Sequence, residues 1–199
     1  MAKTIPDIID HLIGIVPGSK LDAIRLRRPA TKDNADKSYR ALFEPETVED
    51  ASLAERFATA AFIAELHGDT AFAGFYGQQL AALPGGVALL KAVKAAAVEG
   101  AGKGPYGHYP AGPLTAEDQD GPSYDVSDDL KAVLGTRLSA AIEHTHLLVF
   151  HLRDAEPAAL SRLIAAGWTT TGIVTLSQLI AFLAFQIRVV AGLRVLAAA

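Results

Sequence analysis

The most informative feature of this sequence is what it lacks, because none of its 199 residues is cysteine. Without cysteine there is no disulfide framework, no thiolate metal ligand and no cysteine nucleophile. A strong excess of one charge is also missing: 18 basic and 22 acidic residues leave a net charge of -4. No run of like charge is long enough to follow a phosphate backbone, so we expect no nucleic-acid partner.

Two further absences concern targeting and membranes. The first ten residues contain two acids and no apolar segment followed by a small-residue cleavage site, so we interpret the protein as cytoplasmic. The apolar stretch 173–196 is interrupted by polar and charged residues, namely Ser177, Gln178, Gln186, Arg188 and Arg194. These predict a buried helix of a soluble protein and no membrane span. Because a small monomer covers such a helix poorly, we expect a homo-oligomer.

No segment shows the alternation of a strand, and helical spacing of apolar residues recurs along the whole chain. In residues 1–99 this spacing predicts helices over 6–15, 33–42, 53–66, 70–83 and 87–98. Ser52 and Glu55 have the spacing of a capping box, Gly68 ends the helix that they begin, and Asp69 is placed to cap the next one. Pro29 is expected to end any helix before it, and Arg25, Arg27 and Arg28 to form a solvated face.

Residues 100–126 change character and are rich in glycine and proline, which argues against helix. Their three tyrosines, Tyr106, Tyr109 and Tyr124, are unusual for a disordered segment, so we favour an ordered crossover over a flexible linker. Residues 127–199 predict helices from Ser127 or Asp128 to about 153, over 157–166, and from 171 nearly to the C-terminus. The expected architecture is one all-α domain, 1–199, in which the crossover joins two helical halves.

A metal site is the first chemistry to consider. On a helix Glu143 and His146 share one face, whereas His144 and His151 share another. A Glu-x-x-His unit is half of what a di-iron bundle requires, and the chain has no second unit. We therefore predict packed histidines, with neither a metal nor a cofactor. The glycine-rich string that begins at Gly100 follows a predicted helix and lacks the ending of a phosphate-binding loop.

The segment from Glu55 to Tyr76, a helix, a break at Gly68 and a second helix, resembles the active-site segment of the alkylhydroperoxidase-D and carboxymuconolactone decarboxylase (CMD) superfamily. The C-terminal stretch from Ala166-Gly-Trp to Ala191-Gly-Leu-Arg resembles the closing helix of its peroxidase-related members. The likeness to the CMD domain proteins of that group covers nearly the whole chain. It implies an alkylhydroperoxidase-D-like helical bundle.

The superfamily's peroxidases use a glutamate, a Cys-x-x-Cys and a histidine, and the resemblance carries each of these onto a position here. The glutamate falls on Glu55, the cysteines on His67 and Thr70, and the histidine on Gly74. Only the glutamate is retained. Because peroxide reduction by this route needs both thiols, the resemblance does not imply a thiol peroxidase.

Two functional hypotheses follow. In the first, Glu55 and His67 form an acid–base pair, with His146 as a further polar group, in a non-redox enzyme or small-molecule binder. Its ligand would be a small organic acid, as the family's decarboxylases suggest. The pocket walls would come from seven aromatic residues, namely Phe62, Phe72, Phe75, Tyr76, Trp168, Phe182 and Phe185. In the second, the chain is a catalytically silent oligomeric protein, and Glu55 is a capping residue or the partner of an arginine such as Arg56 or Arg188.

Overall fold

The computed structural model describes residues 7–198, and this part of the chain is almost entirely helical. Its α-helices are α1 (Ile8–Ile13), α2 (Lys20–Leu26), α3 (Pro29–Phe43), α4 (Leu53–Leu66), α5 (Thr70–Ala81), α6 (Gly86–Glu99), α7 (Asp128–Phe150), α8 (Pro157–Ala165) and α9 (Thr170–Ala198). Across residues 7–198 no strand forms, and the only β-type pairing is an isolated bridge between Gly107 and Gln119. The all-α prediction is confirmed.

The helix pair α4–α5 begins and breaks where the local signals predict. The Ser52 hydroxyl accepts a hydrogen bond from the Glu55 amide (3.2 Å), and the Glu55 carboxylate accepts one from the Ser52 amide (2.8 Å). Gly68 then adopts a left-handed conformation with φ of 66°, which ends α4. Asp69 begins α5 by accepting hydrogen bonds from the amides of Ala71 and Phe72.

The N-terminal segment differs from its prediction in two ways. α1 is short: Asp7 caps it, and it ends at Gly14, where φ is 75°. Pro6, the predicted start of this helix, lies outside the described residues. α3 begins at Pro29 rather than at the predicted residue 33, because the φ angle of proline suits the first helical turn, where its missing N–H is not needed. α2 ends at Leu26, before Pro29, as predicted.

The predicted solvated face of arginines is wrong for Arg25. Its side chain is only 7% exposed and donates hydrogen bonds to the carboxylates of Asp7 (2.8 Å) and Asp10. Arg27 and Arg28, in contrast, are exposed. The difference arises because α2 turns one side toward α1, which only the tertiary arrangement determines.

The crossover, residues 100–127, packs against the end of α7. The Tyr106 amide donates to the carbonyl of Phe150 (2.6 Å), and the guanidinium of Arg153 lies 4.2 Å from the ring centroid of Tyr109. Contrary to the composition argument, the crossover includes a short 3-10 helix, Pro113–Glu117. A second 3-10 helix, Leu152–Asp154, follows α7, which ends at Phe150 rather than near Arg153.

α4 forms the centre of the bundle. It contacts α3, α5, α6, α7 and α9, so both halves of the chain pack on it. A helix surrounded in this way needs small or apolar residues on every side, and Ala58, Ala60, Phe62 and Ile63 are almost completely buried. The remaining fully buried rings, Phe72 and Tyr76, come from α5.

α9 is covered on one side only. Leu179, Leu183 and Val190 are buried against the bundle, whereas Val174 and Val195 are 55% and 70% exposed. Among the described residues it is also the one helix long and apolar enough to cross a membrane, by length and composition alone. The predicted burial of this helix therefore holds for one face, and homo-oligomerisation remains a prediction.

Asp69 links stability to pH. Burial raises the pKa of its carboxyl, but hydrogen bonds from Arg194 and the start of α5 outweigh this and lower the pKa below 3.8. Because the folded pKa is lowered, the carboxylate stabilises the fold above pH 3.8, and this contribution is lost as the pH falls through the lower folded value. We expect Asp69→Asn to be less stable at neutral pH and less sensitive to acid. Urea unfolding at several pH values measures this, and parallel pH profiles for wild type and variant would contradict it.

Candidate functional site

Glu55, the first residue of the predicted acid–base pair, is held by structural contacts on both carboxylate oxygens. One oxygen closes the capping box with Ser52. The other accepts a 2.6 Å hydrogen bond from Arg137 of α7, whose side chain is 30% exposed while that of Glu55 is 15% exposed. The expected structural alternative is therefore present, but its arginine is Arg137 and not Arg56 or Arg188.

Arg137 connects Glu55 to backbone carbonyls and to a tryptophan ring. Its guanidinium also donates to the backbone carbonyls of Asp50 and Gly167 (2.7 Å to the latter), and it lies 4.2 Å from the ring centroid of Trp168. The Trp168 indole in turn donates to the carbonyl of Arg137 (2.9 Å). Beside Glu55 there is a void of about 10 Å³, which is the space of roughly one water molecule. This void is far too small for a substrate.

His67 lies at the opposite end of α4. Twelve residues of helix separate it from Glu55, which corresponds to about 18 Å along the axis, and the break at Gly68 follows His67 rather than folding it back. Its Nε2 is buried without a hydrogen-bond partner in residues 7–198. Burial, together with the charge of Arg188, lowers the pKa of His67. The structure does not bring Glu55 and His67 together, so they do not form the predicted pair.

The α7 histidines are packed, as the sequence suggested. His146 Nε2 lies 3.0 Å from the carbonyl of Gly100, and because a carbonyl only accepts, Nε2 carries the proton. Burial lowers the pKa of His146, although this hydrogen bond partly offsets it. His151 bridges Asp154 (3.0 Å) and the carbonyl of Pro122 (2.9 Å), which ties the crossover to the end of α7.

His144 and Glu143 complete this region. His144 is buried with neither ring nitrogen hydrogen-bonded, and burial lowers its pKa. Glu143 accepts a hydrogen bond from the amide of Val126 (3.0 Å) instead of meeting His146. A pocket of about 390 Å³ adjoins these histidines. Within residues 7–198 no group of three or more histidine, aspartate or glutamate residues could hold a metal ion.

The largest cavity described is an open cleft of about 1140 Å³ between α3 and α9. Its α3 wall carries short polar residues, and its α9 wall carries Phe182 and Phe185, two of the aromatics that the sequence suggested as pocket walls. The connection between α3 and α4 supplies Glu44, Glu46 and Asp50. The other aromatics of that prediction lie elsewhere, with Phe62, Phe72 and Tyr76 in the closed core.

Arg56 is the most unusual residue of this cleft. It is only 7% exposed, and its guanidinium donates to the backbone carbonyls of Ala51 (2.9 Å), Leu42 (2.9 Å) and Ala41 (3.4 Å). Two of these carbonyls belong to the last turn of α3, so Arg56 also stabilises the end of that helix. Burial lowers its pKa, although Glu55 and Asp50 partly offset this through their charges.

Arg56 lacks a carboxylate partner. No acidic side chain of residues 7–198 forms an ion pair with it, and its Nη2 makes no hydrogen bond there while keeping access to solvent. By comparison, the nearby Arg40 is paired with Asp36 and Glu44. Sequence reasoning considered Arg56 only as a partner for Glu55. The signal that could have drawn attention to it is that Arg56 is the single basic residue of α4, Leu53–Leu66.

The fold and the cleft define an all-α protein with an open interhelical cleft and a buried arginine in its wall. No family model, curated protein or solved structure matches the chain.

Proposed function

We propose that the protein is a non-redox, small-molecule-binding member of the alkylhydroperoxidase-D and CMD superfamily, and that a small organic acid binds in the cleft between α3 and α9. The observation that carries this proposal is Arg56, a buried cation that lines the cleft and has no carboxylate partner among the described residues. The break between α4 and α5 at the predicted residues supports the family assignment.

The charge of Arg56 favours an anionic ligand. Burying a guanidinium costs free energy of desolvation, and neutral carbonyls compensate for only part of that cost. A carboxylate compensates for it better, because its hydrogen bonds to the guanidinium join opposite charges. Nη2, the nitrogen without a partner, supplies the first hydrogen bond to that carboxylate. The hydrogen bonds from Arg56 to the backbone carbonyls remain when the ligand binds. Because they already hold the guanidinium in place, little side-chain entropy is lost on binding.

The remainder of the cleft limits the ligand to one carboxylate and an apolar body. Phe182 and Phe185 have ring centroids 6.4 Å apart and provide an apolar wall. Glu46 and Asp50 would repel a second negative charge. The volume of about 1140 Å³ lies just above the usual range for small-molecule sites, about 300–1,000 Å³. An aryl or alkyl monocarboxylate combines these properties.

Proton transfer by Glu55 and His67 is not included in this proposal. Glu55 is engaged by Arg137 and Ser52, and His67 lies at the far end of the helix. We therefore propose binding without chemistry at these two residues.

The ligand proposal predicts a selective thermal shift. Benzoate or hexanoate, at 100 times its dissociation constant, adds about 2.7 kcal/mol of stability. For a chain of this size we expect a rise in Tm of roughly 5–10 °C. Benzamide and hexanamide have nearly the same shape without the charge and serve as matched controls with a much smaller effect. Differential scanning fluorimetry with isothermal titration calorimetry measures both, and the absence of any carboxylate-specific shift argues against the proposal.

The second candidate function is an oligomeric, catalytically silent protein. The observation that favours it is the partly exposed apolar side of α9, where Val174, Phe185 and Val195 are 55%, 39% and 70% exposed. This surface also carries the inference below.

A further inference from the structure

The exposed side of α9 has a regular pattern. Val174, Gln178, Ala181, Phe185, Arg188 and Val195 are all exposed, and with Gly192 they follow an alternating spacing of four and three residues. That is the spacing by which two helices form a continuous seam, and we call this set of residues the α9 seam. The small residues Ala181 and Gly192 would allow a second helix to approach closely, while Phe185 is 39% exposed despite its size.

The two ends of the α9 seam are flanked by opposite charges. Beside its N-terminal half lie the cleft carboxylates Glu46 and Asp50. Beside its C-terminal half lie Arg27 and Arg28, in a groove shared with Phe185 and Val189. Arg188, on the seam itself, adds a third cation to this half. The cleft also holds Arg56 and the paired Arg40, so the first end carries a small excess of negative charge, whereas the other end is basic.

Most of these charges have no ion-pair partner in the part of the chain that the structure describes. In residues 7–198, Glu46, Arg27 and Arg28 form no ion pair, and Arg188 donates only to the carbonyl of Ala184 on its own helix. Asp50 accepts a hydrogen bond from Thr169 and also forms no ion pair there.

We propose that a second copy of this chain docks on the α9 seam in an antiparallel, two-fold arrangement. Antiparallel docking places the basic half of one seam on the acidic half of the other, and the two-fold axis forms every such contact twice. With the axis between Ala181 and Phe185, Arg188 of one copy faces the partner's Gln178, next to the partner's Glu46. Parallel docking would instead oppose like charges.

The surface is large enough for a stable dimer. α9 is 29 residues long, which corresponds to about 43 Å. With the neighbouring face of α3 the contact is roughly 20 Å wide, so each copy would bury on the order of 800–900 Å², the usual size for a specific complex. The partner would also cover the open side of the cleft, where Gln178, Ala181 and Phe185 form the rim. This inference does not depend on the ligand proposed above.

Charge-reversed variants test the arrangement. Size-exclusion chromatography with light scattering should give twice 20.9 kDa for the wild type. Arg188→Glu and Glu46→Arg should each raise the dimer dissociation constant about tenfold or more, since each brings like charges together. An equimolar mixture of the two variants should recover the dimer, because one chain is then acidic and the other basic at both positions. High salt should weaken the wild-type dimer.

Two further variants keep the test specific. Arg162→Glu makes the same charge change on the exposed face of α8 and should leave the dimer intact. Ala181→Glu blocks the centre of the seam without removing a charge pair and should give a monomer. Circular dichroism confirms that each variant is folded. A wild-type monomer of 20.9 kDa, a dimer that survives Ala181→Glu, or a mixture that stays monomeric would each overturn the proposal.

Discussion

Replacement of Glu55 by alanine is expected to lower the free energy of unfolding by about 3 kcal/mol. Loss of the capping box accounts for about 1 kcal/mol of this. The guanidinium of Arg137, which is 30% exposed, would lose its one carboxylate partner among residues 7–198, which accounts for about 2 kcal/mol more. Both side chains are less than one third exposed, so solvent screens this contact less than a surface ion pair.

Glu65→Ala is the matched control for this measurement. Glu65 lies on the same helix, and its carboxylate is 3.9 Å from the ammonium of Lys94, which is 57% exposed. Such a pair contributes little, so we expect a change within about 0.5 kcal/mol. Urea unfolding followed by circular dichroism compares the two variants. If Glu55→Ala were as stable as Glu65→Ala, the structural role of Glu55 would be wrong, and a functional role for its carboxylate would regain support.

The second large effect concerns the ligand. Arg56→Met should weaken benzoate or hexanoate binding roughly 10- to 100-fold, because a hydrogen bond to a charged group contributes about 1.5–3 kcal/mol. Arg56→Lys keeps the positive charge but not the planar set of guanidinium donors, so it should weaken binding less than Arg56→Met does. The amide analogues should be affected only slightly in either variant, since they do not use the charge. Isothermal titration calorimetry well below the Tm provides these values.

Comparing the affinity for the acid with the affinity for its amide separates a loss of ligand binding from a loss of folding stability. Arg56→Met also removes donors from the carbonyls of Ala51 and Leu42, so some loss of stability is expected in addition. General damage would weaken acid and amide binding alike, and that result would reject Arg56 as the anion-binding residue. Arg153→Met, a similar change on the far side of the bundle, should leave acid binding unchanged.

Much of the local structure could be predicted because its signals lie close together in the chain. Ser52 and Glu55 are three residues apart, Gly68 and Asp69 adjoin the helices that they end and begin, and α4 forms at its predicted bounds. Where a predicted bound was wrong, one residue had two local roles. Pro29 follows the end of α2, as predicted, and it also begins α3, which therefore starts four residues earlier than predicted.

The candidate site could be predicted only in part, because its contacts join distant segments. The carboxylate of Glu55 meets Arg137, 82 positions away, while Arg56, the next residue, turns toward the end of α3. Phe182 and Phe185 were correctly expected to border a pocket, but that cleft is lined by Arg56 and not by Glu55 or His67.

The sequence by itself determined the absence of thiol chemistry, the all-α class and the helix signals around α4, because composition and short-range spacing act within a few residues. Only the tertiary structure decided which charges are paired. Within residues 7–198, the fold pairs Glu55 and Arg25 with side chains of opposite charge and leaves Arg56 without a carboxylate. The physical reason is that the energy of a charge depends on its burial and on its neighbours in space, which are set by how the helices pack.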